Sequence, residues 1–153
     1  MRDEELEDEL VAAAQEQVGK LIHGQYTTVM HQPLLTLVDK LQGVLPSHLD
    51  SLFFANSGSE ALEASLRLSR QATGRPNVIV FHGGFHGRTF MGMTLTGKVQ
   101  PYKAGFGAMM PDVWHLPFPN ELHGTSQQDA LAALDKLFKA DVDPARVAAI
   151  IVE

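Results

Sequence analysis

The fold is decided by the stretch FFANSGSEA at residues 53–61. Its apolar start predicts a strand over residues 51–55, and its small polar residues predict a turn into a helix over residues 59–73. The first N–H groups of a helix have no partner within the helix, and they lie at the positive end of its dipole. A strand, turn and helix of this kind can therefore cradle a phosphate.

The residue types in the turn suit either of two roles. Gly58 has no side chain to obstruct an anion, and Ser57 and Ser59 offer hydroxyl donors, either of which can cap the helix. An ordinary N-cap, with Glu60 near the positive end of the dipole, is the simpler explanation of these residues taken alone. A second stretch is needed to choose between the two.

That second stretch is FHGGFHGRT at residues 81–89, which follows an apolar strand. Its glycines predict a loop that a ligand can approach closely. His82 and His86 are four residues apart, as in a helical metal pair, but the glycines disfavour a helix and no carboxylate follows at ligand spacing. We therefore expect no metal here, and residues 57–59 also lack the Gly-x-Ser-x-Gly elbow of a serine nucleophile.

Together, NSGSEA at 56–61 and FHGGFHGRT at 81–89 resemble the class III aminotransferases of the ornithine and 4-aminobutyrate type, over about residues 11–153. The resemblance implies an α/β fold, a mainly parallel sheet flanked by helices, as part of a fold type I large domain. It also implies the cofactor of that family, pyridoxal 5'-phosphate.

The resemblance assigns the candidate site residue by residue. It implies that Gly58 and Ser59 bind the cofactor phosphate, that Phe85 stacks on the cofactor ring with His86 beside it, and that Glu153 lies on the substrate side. A helix N-terminus under a phosphate and an aromatic ring on a flat heteroaromatic ring are what such a ligand requires.

The catalytic groups of the family are harder to find. Its members use a lysine that forms a Schiff base with the cofactor and an aspartate that pairs with the ring nitrogen. None of the lysines in this sequence lies in that context, so we expect this fragment to be inactive by itself. The full-length form is expected to be a homodimer that moves an amino group from an amine or amino acid, such as 4-aminobutyrate or ornithine, to a 2-oxo acid.

A rival hypothesis is a non-catalytic α/β module that binds some phosphorylated ligand at the same cradle. A reading frame that continues past Glu153 into the aspartate and lysine would favour the enzyme, whereas a stop codon there would favour the module.

Composition limits the other possibilities. A chain of 153 residues with 44% hydrophobic residues is long enough for one core, and a net charge of −6 argues against nucleic-acid binding. The absence of cysteine excludes disulfides and thiolate metal sites. No apolar run approaches the length of a membrane span and the acidic start is unlike a signal peptide, so we expect no membrane association and a cytoplasmic location.

The sequence shows no repeat or linker, which predicts one partial domain over residues 1–153, with N-terminal helices at 1–45 and a cofactor-binding α/β part at 46–153. The C-terminal remainder of the family's domain is expected to be absent. In the helix at 59–73, Leu62, Leu66 and Leu68 are predicted to face inward. The last strand, at 147–152, is predicted to be buried on both faces. The other predicted elements are helices at 11–21, 33–41, 88–96 and 127–140, and strands at 77–81 and 113–116.

Overall fold

The computed structural model describes residues 3–153, and the side chains from residue 6 onward. It divides into two compact units, Met1–Leu52 and Phe53–Glu153. This division lies close to the predicted one at residue 45, and the assignment of both parts to a single domain stays a prediction. Within the described residues, no helix combines the length and the low charge that a membrane span requires.

The first unit contains two helices, α1 (Asp3–Lys20) and α2 (Gln32–Gln42). Pro33 lies in the first turn of α2, where a proline lacks only an N–H that would have no partner inside the helix. Both predicted helices of this region are present, although α1 begins at Asp3 rather than at residue 11.

The second unit alternates helices and strands. The elements are α3 (Gly58–Thr73), β1 (Asn77–Phe81), α4 (Phe90–Leu95), β2 (Val113–Leu116), α5 (Gln127–Ala140) and β3 (Val147–Ile150), with short 3-10 turns at Glu121–His123 and Pro144–Arg146. The strands form a three-stranded sheet in the order β2-β1-β3, and both pairings are parallel. The carboxyl ends of all three strands therefore lie at one edge of the sheet, where α/β proteins place their sites.

The core lies on both sides of the central strand. Side chains alternate along a strand, so Val78 and Val80 pack on one face with residues of α3 and α4, whereas Ile79 packs on the other face with residues of α5. Each of these three side chains is fully buried, which stabilises the fold by roughly 1.5–3 kcal/mol apiece. The first cluster is completed by Leu66, Met91 and Leu95, and the second by Leu116, Leu137 and Val142.

The predicted strand at residues 51–55 is wrong. The described residues form no ladder there, and the Phe53 side chain is 71% exposed. Consequently no strand precedes α3 among the described residues, and the parallel crossovers run from β1 to β2 and from β2 to β3. A strand needs a partner, and the apolar run FFA carries no information about where a partner lies.

Two burial predictions are also wrong. β3 ends at Ile150 rather than at residue 152, and it lies at an edge of the sheet with Ile150 52% exposed. In α3, Leu66 is 2% exposed but Leu68 is 68% exposed. Two residues turn a helix by about 200°, so Leu66 and Leu68 cannot both face the core.

Candidate functional site

The N-terminus of α3 is capped by one serine and leaves another available. Ser57 Oγ accepts a hydrogen bond from the N–H of Glu60 at 3.2 Å, and the Glu60 carboxylate accepts one from the N–H of Asn56 at 2.7 Å. Of the two candidate caps, Ser57 is therefore the one used. Within residues 3–153, neither the N–H of Gly58 nor that of Ser59 has an acceptor. Two donors at the positive end of a 16-residue helix thus remain available to an anion.

The space around these donors depends on two glycines. Gly87 has φ +97°, and a Cβ built there would lie 2.0 Å from Ser59 Oγ and 2.9 Å from Ser59 Cβ, so a side chain at Gly87 would occupy the place of the Ser59 hydroxyl. A Cβ at Gly58 would meet nothing within 4 Å, so the space beside that backbone is open. A tetrahedral anion therefore has room at Gly58, next to the Ser59 hydroxyl, which takes no part in the helix cap.

The loop that follows β1 carries the exposed ring of Phe85. That side chain is 41% exposed, and the Phe85 N–H donates a hydrogen bond to the carboxylate of Glu153. The next N–H, from His86, donates to the hydroxyl of Thr96 at 3.1 Å. The loop is therefore held at two successive amides by residues far away in sequence.

The imidazole of His86 lies behind the exposed ring. Its side chain is 7% exposed, and Nδ1 lies 4.0 Å from Glu153 Oε2, whose own side chain is 54% exposed. Burial lowers the pKa of His86 below its ordinary 6.5, and the nearby charge of Glu153 opposes this shift. At pH 7 His86 is therefore mostly a neutral imidazole, which can donate a hydrogen bond from one nitrogen and accept at the other.

A second aromatic ring packs on Phe85. The ring centroids of Phe85 and Tyr102 are 4.8 Å apart, with the planes tilted by 50°. The guanidinium of Arg88 lies 5.8 Å from the Tyr102 ring centroid, within the range of a cation–π interaction. Tyr102 therefore limits the positions that the Phe85 ring can take.

The Thr96 contact is part of a polar network at the end of α4. Thr96 is fully buried, and its hydroxyl accepts from the His86 N–H and donates to the Gly92 carbonyl at 2.9 Å. The Thr96 carbonyl accepts a hydrogen bond from Lys103 Nζ at 2.7 Å, and burial lowers the pKa of Lys103. Both the hydroxyl and the carbonyl of Thr96 are thus held by hydrogen bonds.

Two histidines border the same region. His115 Nε2 lies 3.1 Å from the Leu95 carbonyl, and since a carbonyl can only accept, that nitrogen carries the proton. The His115 ring stacks on His82 with centroids 5.6 Å apart. Burial lowers the pKa of His115, the nearby Lys103 and His82 lower it further, and interactions with the backbone of Leu95 and Thr96 oppose this shift. Among the side chains that the structure describes, from residue 6 onward, no group of three or more could hold a metal ion.

The structure brings four of the predicted site residues together. A cavity of about 350 Å³ is lined by Gly58, Ser59, Leu62, Phe85, His86 and Gly87. Glu153 lines a second cavity of about 560 Å³, together with His82 and Asn120 among others, at the carboxyl edge of the sheet. The Glu153 carboxylate connects the two sites because it holds the Phe85 N–H.

Thr96, Tyr102 and Lys103 were not among the site residues predicted from the sequence. One local signal was available. Gly97 directly follows Thr96, and a Cβ there would lie 2.5 Å from the backbone nitrogen of Gly83. A glycine after a short apolar helix thus marks where the end of α4 contacts the ring-bearing loop.

The chain resembles curated aminotransferases over almost its whole length. It is 43% identical over 149 residues to the 5-aminovalerate aminotransferase DavT of Pseudomonas putida. It is 38% identical over 149 residues to the 4-aminobutyrate aminotransferase GabT of Escherichia coli. Each match covers 97% of this chain, whereas the chain spans 35% of the length of each relative.

Solved structures with the same fold are transaminases. The taurine:2-oxoglutarate aminotransferase of Bifidobacterium kashiwanohense superposes with a TM-score of 0.84 over 95% of this chain and 34% of its own, at 24% identity. A transaminase from the marine bacterium Virgibacillus gives a TM-score of 0.80 over 94% of this chain and 33% of its own, also at 24% identity. At this identity the likeness shows the fold alone, and it confirms the predicted partial fold type I architecture. Residues 6–153 match the family described as aminotransferase class-III, and the chain therefore belongs to the class-III aminotransferases.

Proposed function

We propose that this chain is the cofactor-binding part of an aminotransferase, and that it binds pyridoxal 5'-phosphate in the cavity between the N-terminus of α3 and the loop after β1. Class-III aminotransferases use this cofactor, which agrees with the prediction from sequence. The observation that carries the proposal is the meeting of Gly58, Ser59, Phe85 and His86 in one cavity of about 350 Å³.

The phosphate end of the ligand fits the start of α3. The N–H groups of Gly58 and Ser59 are available, no Cβ obstructs Gly58, and the Ser59 hydroxyl is not used by the cap. The helix N-terminus favours an anion by about 0.3–1 kcal/mol at an exposed site, and each hydrogen bond adds about 1 kcal/mol. The residues present therefore fit a phosphate.

The ring end fits Phe85. An exposed aromatic side chain, fixed by two backbone hydrogen bonds and by Tyr102, offers a preformed stacking surface worth about 0.5–1.5 kcal/mol. His86 is held neutral by burial beside this ring, so it adds a hydrogen-bonding group without a full positive charge. When bound, the cofactor supplies an electron sink for the amino-acid chemistry.

Glu153 is proposed to lie on the substrate side. Its carboxylate holds the Phe85 N–H, yet its side chain is 54% exposed and lines the second cavity. A carboxylate in that position can attract the ammonium group of an amino donor towards the ring. Glu153 would thereby both orient Phe85 and favour a cationic substrate.

The substrates are proposed from the relatives. The named relatives are aminotransferases of 5-aminovalerate and 4-aminobutyrate, which supports an amine or amino acid of the 4-aminobutyrate or ornithine type as the donor and a 2-oxo acid as the acceptor. A homodimer in the cytoplasm is proposed for the full-length protein on the same family grounds.

The 153-residue chain by itself is proposed to lack transaminase activity. Its lysines lie at positions 20, 40, 98, 103, 136 and 139, and none matches the family's covalent lysine. Without that amine there is no group at the cofactor to shuttle the proton. Turnover with any amino donor, in a preparation free of host aminotransferases, would contradict this.

The site assignment is tested by titration with pyridoxal 5'-phosphate, using inorganic phosphate as a competitor. Summed contributions near 4 kcal/mol predict binding at about millimolar concentration. Phe85→Ala should weaken cofactor binding about 2- to 13-fold and leave phosphate binding intact, because it removes only the stack. Gly58→Val should abolish binding of both, because it fills the open space at the helix N-terminus.

Phe90→Ala is the matched control, since Phe90 is 46% exposed and does not line the cavity. Equal effects of the two phenylalanine variants, or saturable binding that Gly58→Val retains, would show that the ligand binds elsewhere. Binding of many phosphorylated ligands with no preference for the pyridoxal ring would instead support the non-catalytic module.

A further inference from the structure

Two neighbouring residues of one loop approach the ring-bearing loop by different routes. Tyr102 packs its ring directly on Phe85 at 4.8 Å. Lys103 does not contact Phe85, but its ammonium donates to the Thr96 carbonyl at 2.7 Å. Thr96 in turn receives the N–H of His86, the residue next to Phe85, at 3.1 Å.

We propose that Lys103 is a positioning residue for Phe85. By holding the Thr96 carbonyl, its ammonium fixes the buried hydroxyl that receives the His86 N–H, and so keeps the Phe85 ring at the mouth of the cavity. The inference rests on the proposed function, because the position of Phe85 matters for binding only if a ring stacks there.

The location of the ammonium supports this role. Lysine is normally a solvated surface charge, and a half-buried ammonium that gives up water needs a compensating hydrogen bond. Among residues 3–153 the Thr96 carbonyl is the acceptor recorded for Lys103, and it lies at the C-terminus of α4, where carbonyls lack partners within the helix. Among the described residues no backbone N–H donates to this carbonyl, so Lys103 supplies a donor that the backbone does not.

Thr96 has little freedom to move within this series of contacts. That residue is fully buried, and its hydroxyl is committed as a donor to the Gly92 carbonyl at 2.9 Å, so its lone pairs are aimed by that bond towards the His86 N–H. If the Thr96 carbonyl loses the ammonium, the end of α4 can shift and the His86 N–H loses its partner. The loop would then keep the Glu153 contact at Phe85 and the hydrogen bond from the Gly97 N–H to the Gly84 carbonyl at 2.9 Å, but it would lose its hold at His86.

The variants for the test are Lys103→Met, which keeps the length and removes the donor, and Lys103→Arg, which restores a cationic donor. Lys98→Met is the matched control, because Lys98 is exposed and has no recorded partner among residues 3–153. Urea midpoints of all variants are measured first, so that binding is compared only at conditions where each variant is folded.

The first readout is amide hydrogen exchange of His86, which needs no ligand. Lys103→Met should accelerate exchange of the His86 amide at least about tenfold relative to Lys98→Met, and Lys103→Arg should restore most of the protection. Unchanged protection of the His86 amide in Lys103→Met would overturn the inference.

The second readout is coupling in binding. Lys103→Met should weaken pyridoxal 5'-phosphate at least about threefold, leave inorganic phosphate unchanged, and cause no further loss when combined with Phe85→Ala, because both changes remove the same stack. A purely structural lysine would instead weaken phosphate as well, or add its full effect to that of Phe85→Ala. Either result would overturn the inference.

The two arms also separate this inference from the proposed function. If the unmodified chain binds inorganic phosphate but shows no preference for the pyridoxal ring, the proposed function fails. In that case, hydrogen exchange of the His86 amide alone tests whether Lys103 positions the loop.

Discussion

Gly87→Ala tests the cradle most directly, because the structure places the new methyl group on a named atom. A Cβ at residue 87 would lie 2.0 Å from Ser59 Oγ and 2.9 Å from Ser59 Cβ. The hydroxyl can rotate away, but the Ser59 Cβ belongs to the first turn of α3 and must move with the backbone. The substitution therefore acts on the one hydroxyl proposed to bind phosphate.

The expected cost has two parts. The φ of +97° at Gly87 is unfavourable for any L-residue, which costs roughly 1–2 kcal/mol of unfolding free energy. Overpacking against Ser59 adds about 1–3 kcal/mol. Displacement of the Ser59 hydroxyl removes a hydrogen bond to a charged ligand worth about 1.5–3 kcal/mol, so phosphate binding should weaken by at least about tenfold.

Gly83→Ala is the matched control in the same loop. Gly83 has φ +94°, almost equal to that of Gly87, but a Cβ there would meet nothing within 4 Å. It should therefore show the backbone cost alone and bind phosphate as the unmodified chain does. Urea unfolding gives the stabilities, and the shift of the Ser59 amide signal on titration with phosphate gives the affinities.

The reasoning would be refuted by a particular pattern. If Gly83→Ala and Gly87→Ala lost equal stability and both kept phosphate binding, the Ser59 contact would have no energetic weight and the hydroxyl no role in the cradle. A loss of phosphate binding in Gly83→Ala alone would place the anion elsewhere in the loop.

Three further predictions concern stability. The free energy of unfolding should fall as pH drops from 7.5 to 5. Burial lowers the pKa of His86 and His115 below 6.5, so the unfolded chain binds more protons than the folded chain in that window. The loss of stability begins near pH 6.5 and is complete below the lowered pKa values of the two histidines. His115→Phe should make that slope shallower in urea titrations, and an unchanged slope would assign the pH dependence elsewhere. Arg70→Met should leave the Tm unchanged or raise it, because Nε and Nη2 of Arg70 are buried without a hydrogen-bond partner among the described residues. A fall in the free energy of unfolding of more than about 1 kcal/mol would show that the guanidinium does have a hydrogen-bond acceptor. Ser126→Ala should cost about 1 kcal/mol in thermal unfolding, because Ser126 and Asp129 form a capping box at the start of α5, and a change below a few tenths of a kcal/mol would contradict it.

The sequence predicted best what depends on local pattern. The strands at 77–81 and 113–116 and the helix at 127–140 agree with the structure at both ends, because apolar runs and a Ser126 cap mark those boundaries within a few residues. The four predicted residues that line the small cavity, Gly58, Ser59, Phe85 and His86, came from the resemblance of the stretches at 56–61 and 81–89 to the class III aminotransferases.

What the sequence could not supply depends on distant partners. The FFA run at 53–55 has strand character but no strand beside it among the described residues, and pairing is a property of two segments. Thr96 and Lys103 form their contacts by side chains that meet only after α4 has packed on β1 and β2, so neither residue stands out in its own neighbourhood.

Ser57 caps α3 whereas Ser59 takes no part in the cap, so folding stability and ligand affinity depend on different serines. Because Ser57 and Glu60 form the cap hydrogen bonds, a ligand that binds Ser59 breaks no hydrogen bond of the cap, and its release leaves the cap unchanged. Exchange of residue 59 among small side chains, which fit against Gly87, can thus change which anion is accepted while the helix cap stays intact. A library of small residues at position 59 would therefore sample binding preference with the cap intact, whereas the same library at position 57 would also sample chains that lack the cap and lose about 1 kcal/mol of stability.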